Sequence, residues 1–156
     1  MRSTTRRLAA FTSTLAAALT LAVVGGSPAQ ASGQNCADNG DANVCINVNG
    51  ASNVIHQIVG SAKTDRRFGF TNAAGVYVTY VGHVQVTDPN GKTLCNSSAQ
   101  SLSGSGITLS CLWHGYGETY TTGDYCTTLW VYEYRGALFG WEYVKHGTEC
   151  LNVFKS

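Results

Sequence analysis

No long stretch of helical periodicity follows the N-terminal segment of this 156-residue chain, and a helix-built architecture is excluded on that ground. No basic run is present either, so the chain lacks the electrostatic footprint of a nucleic-acid or anionic-membrane binder. There is no Cys-x-x-Cys pair and no histidine beside a cysteine pair, which removes a zinc finger; no metal and no other cofactor is expected. The apolar runs fall short of the roughly 20 residues that cross a bilayer, so no membrane span is expected in the mature form. No internal repeat is visible.

Signatures of catalysis are missing too. Ser103-Gly104-Ser105-Gly106 lacks the glycine two residues before a serine that a nucleophile elbow needs. Gly115-Tyr116-Gly117 is followed by no third glycine and no helix, so it is not a phosphate loop. Nothing pairs two of the carboxylates Glu118, Asp124, Glu133, Glu142 and Glu149 for glycoside hydrolysis, and Glu133, Glu142 and Glu149 read as exposed strand or turn positions.

What is present begins with a leader. Arg2, Arg6 and Arg7 precede an apolar run over 15–24, which ends in small residues and Ala29-Gln30-Ala31, an Ala-x-Ala cleavage site. Residues 1–31 are therefore expected to be a signal peptide and 32–156 a single secreted domain. The leader removes three of the ten Lys and Arg residues and none of the nine acidic ones, leaving a mature net charge near −2.

All six cysteines, Cys36, Cys45, Cys95, Cys111, Cys126 and Cys150, lie in the mature part, and an even count in an exported chain implies three disulfides. A last hairpin turning around Leu138 pairs residues whose numbers sum to 276, which sets Cys126 opposite Cys150 at a Cα separation a disulfide can span. Cys95 and Cys111 bracket the Ser/Gly stretch 97–106, and Cys36 and Cys45 bracket Asn39-Gly40-Asp41. Pairing of neighbours is the expectation, with 97–106 as a flexible loop tethered by its flanking bridge.

The segments between the cysteines read as strands. In 76–87, Val76, Val78, Tyr80, Val84 and Val86 alternate with Thr79, His83, Gln85 and Thr87, which predicts one long half-buried strand. Asp88-Pro89-Asn90-Gly91 follows as a turn. Val44, Ile46 and Val48 alternate with Cys45, Asn47 and Asn49, and Ile107, Leu109, Cys111 and Trp113 with Thr108 and Ser110. About eight such strands in one domain predict an all-β, antiparallel β-sandwich, immunoglobulin-like or jelly-roll.

The arginine-led leader, Gly82-His83-Val84-Gln85-Val86 before Asp88-Pro89-Asn90-Gly91, and Gly123-Asp124-Tyr125-Cys126 with Cys150 near the end together resemble small disulfide-bonded secreted proteins common in actinobacteria. The resemblance spans most of the mature chain; it implies an exported β-sandwich and carries over no catalytic residue. Gly123-Asp124-Tyr125-Cys126 also resembles an immunoglobulin tyrosine corner, with Tyr125 directly before the cysteine instead of two before it.

The C-terminal hairpin is rich in aromatics. One face carries Cys126, Thr128, Trp130, Tyr132 and Tyr134; the other carries Tyr125, Thr127, Leu129, Val131, Glu133 and Arg135. In the favoured packing, Trp130 and Tyr132 lie in the core against the Cys126 to Cys150 bridge, because large aromatics in a small domain are more often structural. In the alternative, Leu129 and Val131 face inward and Trp130, Tyr132 and Tyr134 form an exposed row about 14 Å long at strand rise, which could stack on sugar rings. On the 276 register Arg135 meets Trp141 and His146 meets Trp130.

The leading functional expectation is a secreted, non-catalytic binding module for a polysaccharide or an extracellular protein, its surface drawn from Trp113, Trp130, Tyr132, Tyr134 and Trp141. A small extracellular hydrolase using His114 with Glu118 or Asp124 is the first alternative. The second is an inhibitor of a secreted protease that presents 97–106 as a pinned loop.

Overall fold

The computed structural model describes residues 32–117 and 119–154; the expected leader over 1–31 and Glu118 lie outside the described residues. Alternation builds the first sheet. In β2 (Ala42–Ala51), Val44, Ile46 and Val48 are buried while Cys45, Asn47 and Asn49 turn the other way. β2 pairs with β1 (Gly33–Asp38) on one side and β3 (Val54–Thr64) on the other, and β9 (Thr108–His114) pairs with β3 to complete the order β1-β2-β3-β9.

The second sheet runs β11-β10-β6-β7, from β11 (Trp141–Val153), β10 (Gly123–Tyr134), β6 (Val81–Thr87) and β7 (Thr93–Asn96), with β8 (Gln100–Ser101) also on β6. β4 (Gly69–Thr71) and β5 (Tyr77–Thr79) form a separate ribbon. Every strand pairing among the described residues is antiparallel. The two large sheets pack face to face as a sandwich, burying Val44, Ile46, Ile58 and Leu109 against Val84, Val86, Leu129 and Val131. At Gly60 the approach is so close that a Cβ would lie 2.3 Å from Val86 Cγ2 on the facing sheet.

The predicted strand over 76–87 is broken at Tyr80. Alternation holds from Tyr80 through Gly82, Val84 and Val86, all buried, but Val76 is 58% exposed at the far end of the β4–β5 ribbon. Tyr80 is the corner between ribbon and sheet. Its amide donates to the Phe68 carbonyl, and its own carbonyl accepts from the Leu102 amide, so ladder bonding to a neighbouring strand gives way there to loop contacts. The turn at Asp88-Pro89-Asn90-Gly91 forms as expected. Asp88 Oδ1 accepts from the amides of Asn90 and Lys92, and Gly91 takes φ 79°.

Three disulfides close the framework in the expected pairing, and no cysteine among the described residues is free. Cys36–Cys45 and Cys126–Cys150 join directly opposed residues within the β1–β2 and β10–β11 ladders, each with Cα atoms 4.1 Å apart. Cys95–Cys111 has a different role. It ties β7 to β9, so it links the two sheets instead of tethering a loop. Residues 97–106 are not a free loop: β8 pairs with β6, and Leu102 is fully buried, its carbonyl accepting from the Phe68 amide. Three bridges place the folded chain in an oxidising environment. No helix among the described residues is long and apolar enough to cross a membrane.

Candidate functional site

The faces of β10 divide by chemistry. Tyr125, Thr127, Leu129 and Val131 are buried between the sheets, so Trp130, Tyr132 and Tyr134 must point away from the core. Core packing of Trp130 and Tyr132 is therefore corrected: Tyr132 is 36% and Tyr134 40% exposed, and the Cys126–Cys150 bridge lies on the same outer face. The inner positions are filled by slimmer side chains because the facing sheet approaches closely at Gly60 and Val44. On β10 it is Tyr125 that turns a ring inward, and its hydroxyl donates to the Thr121 carbonyl four residues upstream, as a tyrosine corner does.

The 276 register holds from Cys126 to Leu129 and then slips at a bulge. Leu129 pairs with Gly147, but Trp130 pairs with Lys145, leaving His146 as the extra residue. Beyond the bulge Tyr132 faces Tyr143 and Tyr134 faces Trp141, so Arg135 does not meet Trp141 and His146 does not meet Trp130. Arg135 instead lies 3.4 Å from Glu133 and 3.5 Å from Glu142. The slip turns Trp141 and Tyr143 onto the outer face beside the aromatics of β10.

The result is a continuous strip of rings. Trp141 stacks on Tyr132 with centroids 5.6 Å apart, meets Tyr134 at 5.8 Å, and touches the edge of Tyr80 at 5.7 Å. Tyr132 lies 5.0 Å from Tyr143, whose ring meets His83 of β6 at 4.9 Å. Phe70 of the ribbon stacks on Tyr134 at 5.9 Å and extends the strip past the sheet. Trp130 sits toward the other end, opposite His83, with its Nε1 donating to Gln85 Oε1 at 3.2 Å.

Two shallow hollows flank the Tyr132–Tyr143 pair. One, about 330 Å³, is lined by Thr79, Tyr80, Val81, Tyr132 and Trp141. The other, about 250 Å³, is lined by His83, Gln85, Trp130 and Tyr143. Burial lowers the His83 pKa, which favours the uncharged imidazole. By strand alternation the ionic side chains on the outer face of β6, β10 and β11 are Lys145 and, at the far end, Asp124. The remainder offers rings, hydroxyls and amides.

The bulge also creates a second cluster, at the margin of the sandwich. His146 Nδ1 lies 2.8 Å from Asp41 Oδ2, at the turn before β2, and Nε2 lies 3.0 Å from Glu133 Oε2 of β10. Arg66 holds the other Asp41 oxygen at 2.7 Å, and Phe68 packs edge-on against the imidazole at 5.0 Å. Glu133, expected to be exposed, has a side chain only 14% accessible. Arg66, chiefly, and then His146 hold the Asp41 carboxyl below its ordinary value against the opposing effect of burial. Both imidazole nitrogens are taken by carboxylates, so this cluster ties the sheets together and leaves no nitrogen to act on a substrate.

Trp113 belongs elsewhere. On β9 it follows Leu109 and Cys111 onto the inner face and packs at the margin of the core, on the sheet opposite the strip. His114 ends the same strand with its ring 6.1 Å from Tyr116, and Asp124 accepts from Asn152 Nδ2 at 2.6 Å. Among the described residues no hydrogen bond or ion pair joins His114 to Asp124, and Glu118 lies outside them. Of the five expected surface residues the strip therefore gathers Trp130, Tyr132, Tyr134 and Trp141, and adds Phe70, Tyr80, His83 and Tyr143. Tyr143 lies two residues from Trp141 on the same face of β11, so a register one lower would have placed both on the strip. No family model, curated protein or solved structure matches the chain.

Proposed function

We propose that this is a secreted, non-catalytic module that binds an uncharged polysaccharide along the strip of Tyr132, Tyr134, Trp141, Tyr143 and Trp130. One observation carries the reading: a row of partly exposed rings stands on a rigid antiparallel sheet, and such contiguous apolar surface is kept for a partner. The C–H faces of a sugar ring carry slight positive charge and fit the negative face of an aromatic ring. Gln85, Thr79 and His83, at the edges of the two hollows, supply hydrogen bonds to hydroxyls. A nearly charge-free face suits a neutral chain better than an acidic one. The disulfide framework supports an extracellular setting for such a ligand.

The test is affinity electrophoresis through gels containing neutral soluble glucans, xylans or mannans. The wild-type protein is retarded by at least one of them, and Trp141→Ala and Tyr143→Ala each weaken that retardation about tenfold, the effect of losing a contact near the centre of a binding surface. Both residues are exposed enough for the variants to fold. Equal mobility in every gel, with and without polysaccharide, rejects the reading.

A further inference from the structure

The aromatic strip is neither flat nor walled. Trp141 and Tyr132 are inclined to each other by 27°, and Tyr132 and Tyr143 by 45°, so the ring planes turn along the strip. The flat face of a crystalline fibre cannot touch all three rings at once. A single chain, free to rotate about each glycosidic bond, can follow them. Beyond Trp130 the outer face drops to Thr128 and Thr148, whose hydroxyls bond to each other at 2.9 Å. Side chains this short raise no barrier there, so a bound chain can run on past the rings.

The two hollows lie in line along β6. One offers Tyr80, Tyr132 and Trp141, with Thr79 at its edge; the other offers Trp130 and Tyr143, with His83 and Gln85 at its edge. The Tyr132–Tyr143 pair, with centroids 5.0 Å apart, stands between them. The β6 residues that line them, Val81 in the first and His83 and Gln85 in the second, set the hollow centres about 10 Å apart at strand rise. An extended glycan covers that span with about two sugar units. In a β-linked glucan or mannan of the cellulose type each unit is turned over relative to the last, so a unit and the next but one offer the same face. A coiled α-linked chain curves away from a straight strip over the same span.

Gln85 is set for such a chain before it arrives. Its Oε1 accepts from Trp130 Nε1 at 3.2 Å, and its Nε2 donates to Thr93 Oγ1 at 3.1 Å. An amide held at both ends loses little side-chain freedom on binding. It keeps one N–H and one lone pair for a sugar hydroxyl.

From the turning ring planes, the paired hollows and the held amide, we infer that the strip takes an internal stretch of one extended, β-linked hexose chain, a glucan or a mannan. One sugar sits in each hollow and a third bridges the Tyr132–Tyr143 pair, with Gln85 fixing the sugar beside Trp130. This rests on the glycan reading of the strip and narrows it to single chains, one linkage geometry and a shortest full-length ligand of three units.

The experiment is isothermal titration of the mature, oxidised protein with β-linked gluco- and manno-oligosaccharides, from the disaccharide to the hexasaccharide. A maltooligosaccharide series and a depletion assay on crystalline cellulose run alongside. In at least one β-linked series affinity rises about tenfold from disaccharide to trisaccharide, as the second hollow fills, and then levels off. Gln85→Ala weakens the trisaccharide about tenfold and leaves the disaccharide, which can use the other hollow, nearly unchanged. The maltooligosaccharides do not bind, and crystalline cellulose leaves the protein in solution. Retardation in a polysaccharide gel overturns this inference alone, and leaves the glycan reading standing, if it comes with a flat length series, equal loss of both ligands in Gln85→Ala, preference for the α-linked series or adsorption to the crystalline solid. No retardation in any gel and no heat with any oligosaccharide overturns both.

Discussion

Replacing His146 with leucine tests whether the bulge on β11 was placed for the carboxylates it reaches. The wild-type imidazole bridges Asp41 and Glu133, and its side chain is 13% accessible, against 29% for Asp41 and 14% for Glu133. Removing one partner of a fully buried ion pair costs about 3 to 5 kcal/mol, because the remaining charge is left without compensation. Here the loss is smaller. Asp41 keeps Arg66 and a partly wet surface, and Glu133 keeps Arg135 at 3.4 Å, so about 2 to 3 kcal/mol is the expected loss. For a domain of this size that lowers the midpoint of thermal unfolding by about 10 °C.

The assay is circular dichroism on the oxidised protein at neutral pH, with Glu133→Gln as the companion variant. Glutamine keeps a hydrogen bond to the imidazole, so its loss is about 1 kcal/mol. The double variant loses less than the sum, since the two groups share one contact. A His146→Leu midpoint within about 2 °C of wild type, or strict additivity in the double variant, refutes the reasoning and makes the cluster an incidental result of the bulge.

Two further outcomes follow from the fold and its charges. The folded Asp41 carboxyl binds its proton more weakly than the unfolded one, so its contribution to stability is complete above the unfolded value near 3.9 and is lost as pH falls through the lower folded value; Asp41→Asn should flatten the acid limb of a stability–pH profile, and an unchanged limb contradicts the assignment. Leu102, fully buried inside what reads as a flexible Ser/Gly loop, should cost about 2 to 5 kcal/mol when replaced by alanine, measured by urea unfolding, whereas a free loop would lose nothing.

Much of the architecture was readable because it rests on local patterns. Period-two alternation in β2 and β9, the Asp88 to Gly91 turn, and the even set of cysteines led to paired strands and three neighbour bridges, all present in the structure. The strip was half readable. Alternation put Trp130, Tyr132 and Tyr134 on one face, but which face is wet depends on what the opposite sheet presents. Burial statistics pointed inward for these rings; the close approach of β3 at Gly60 and of β2 at Val44 leaves room for Leu129 and Val131 instead.

The chain alone thus favoured neighbour pairing of its six cysteines and determined the extended conformation and the sharing of faces within most strands, since the last two follow from steric and side-chain periodicity over a few residues. Tertiary structure decided the rest. A single extra residue at His146 changed the cross-strand partners of every position beyond it, brought Trp141 and Tyr143 onto the strip, and carried a histidine to Asp41, 105 positions away in sequence. Such a slip has no local signature, because its energy comes from contacts with strands that the bulged segment meets only when the sheets close.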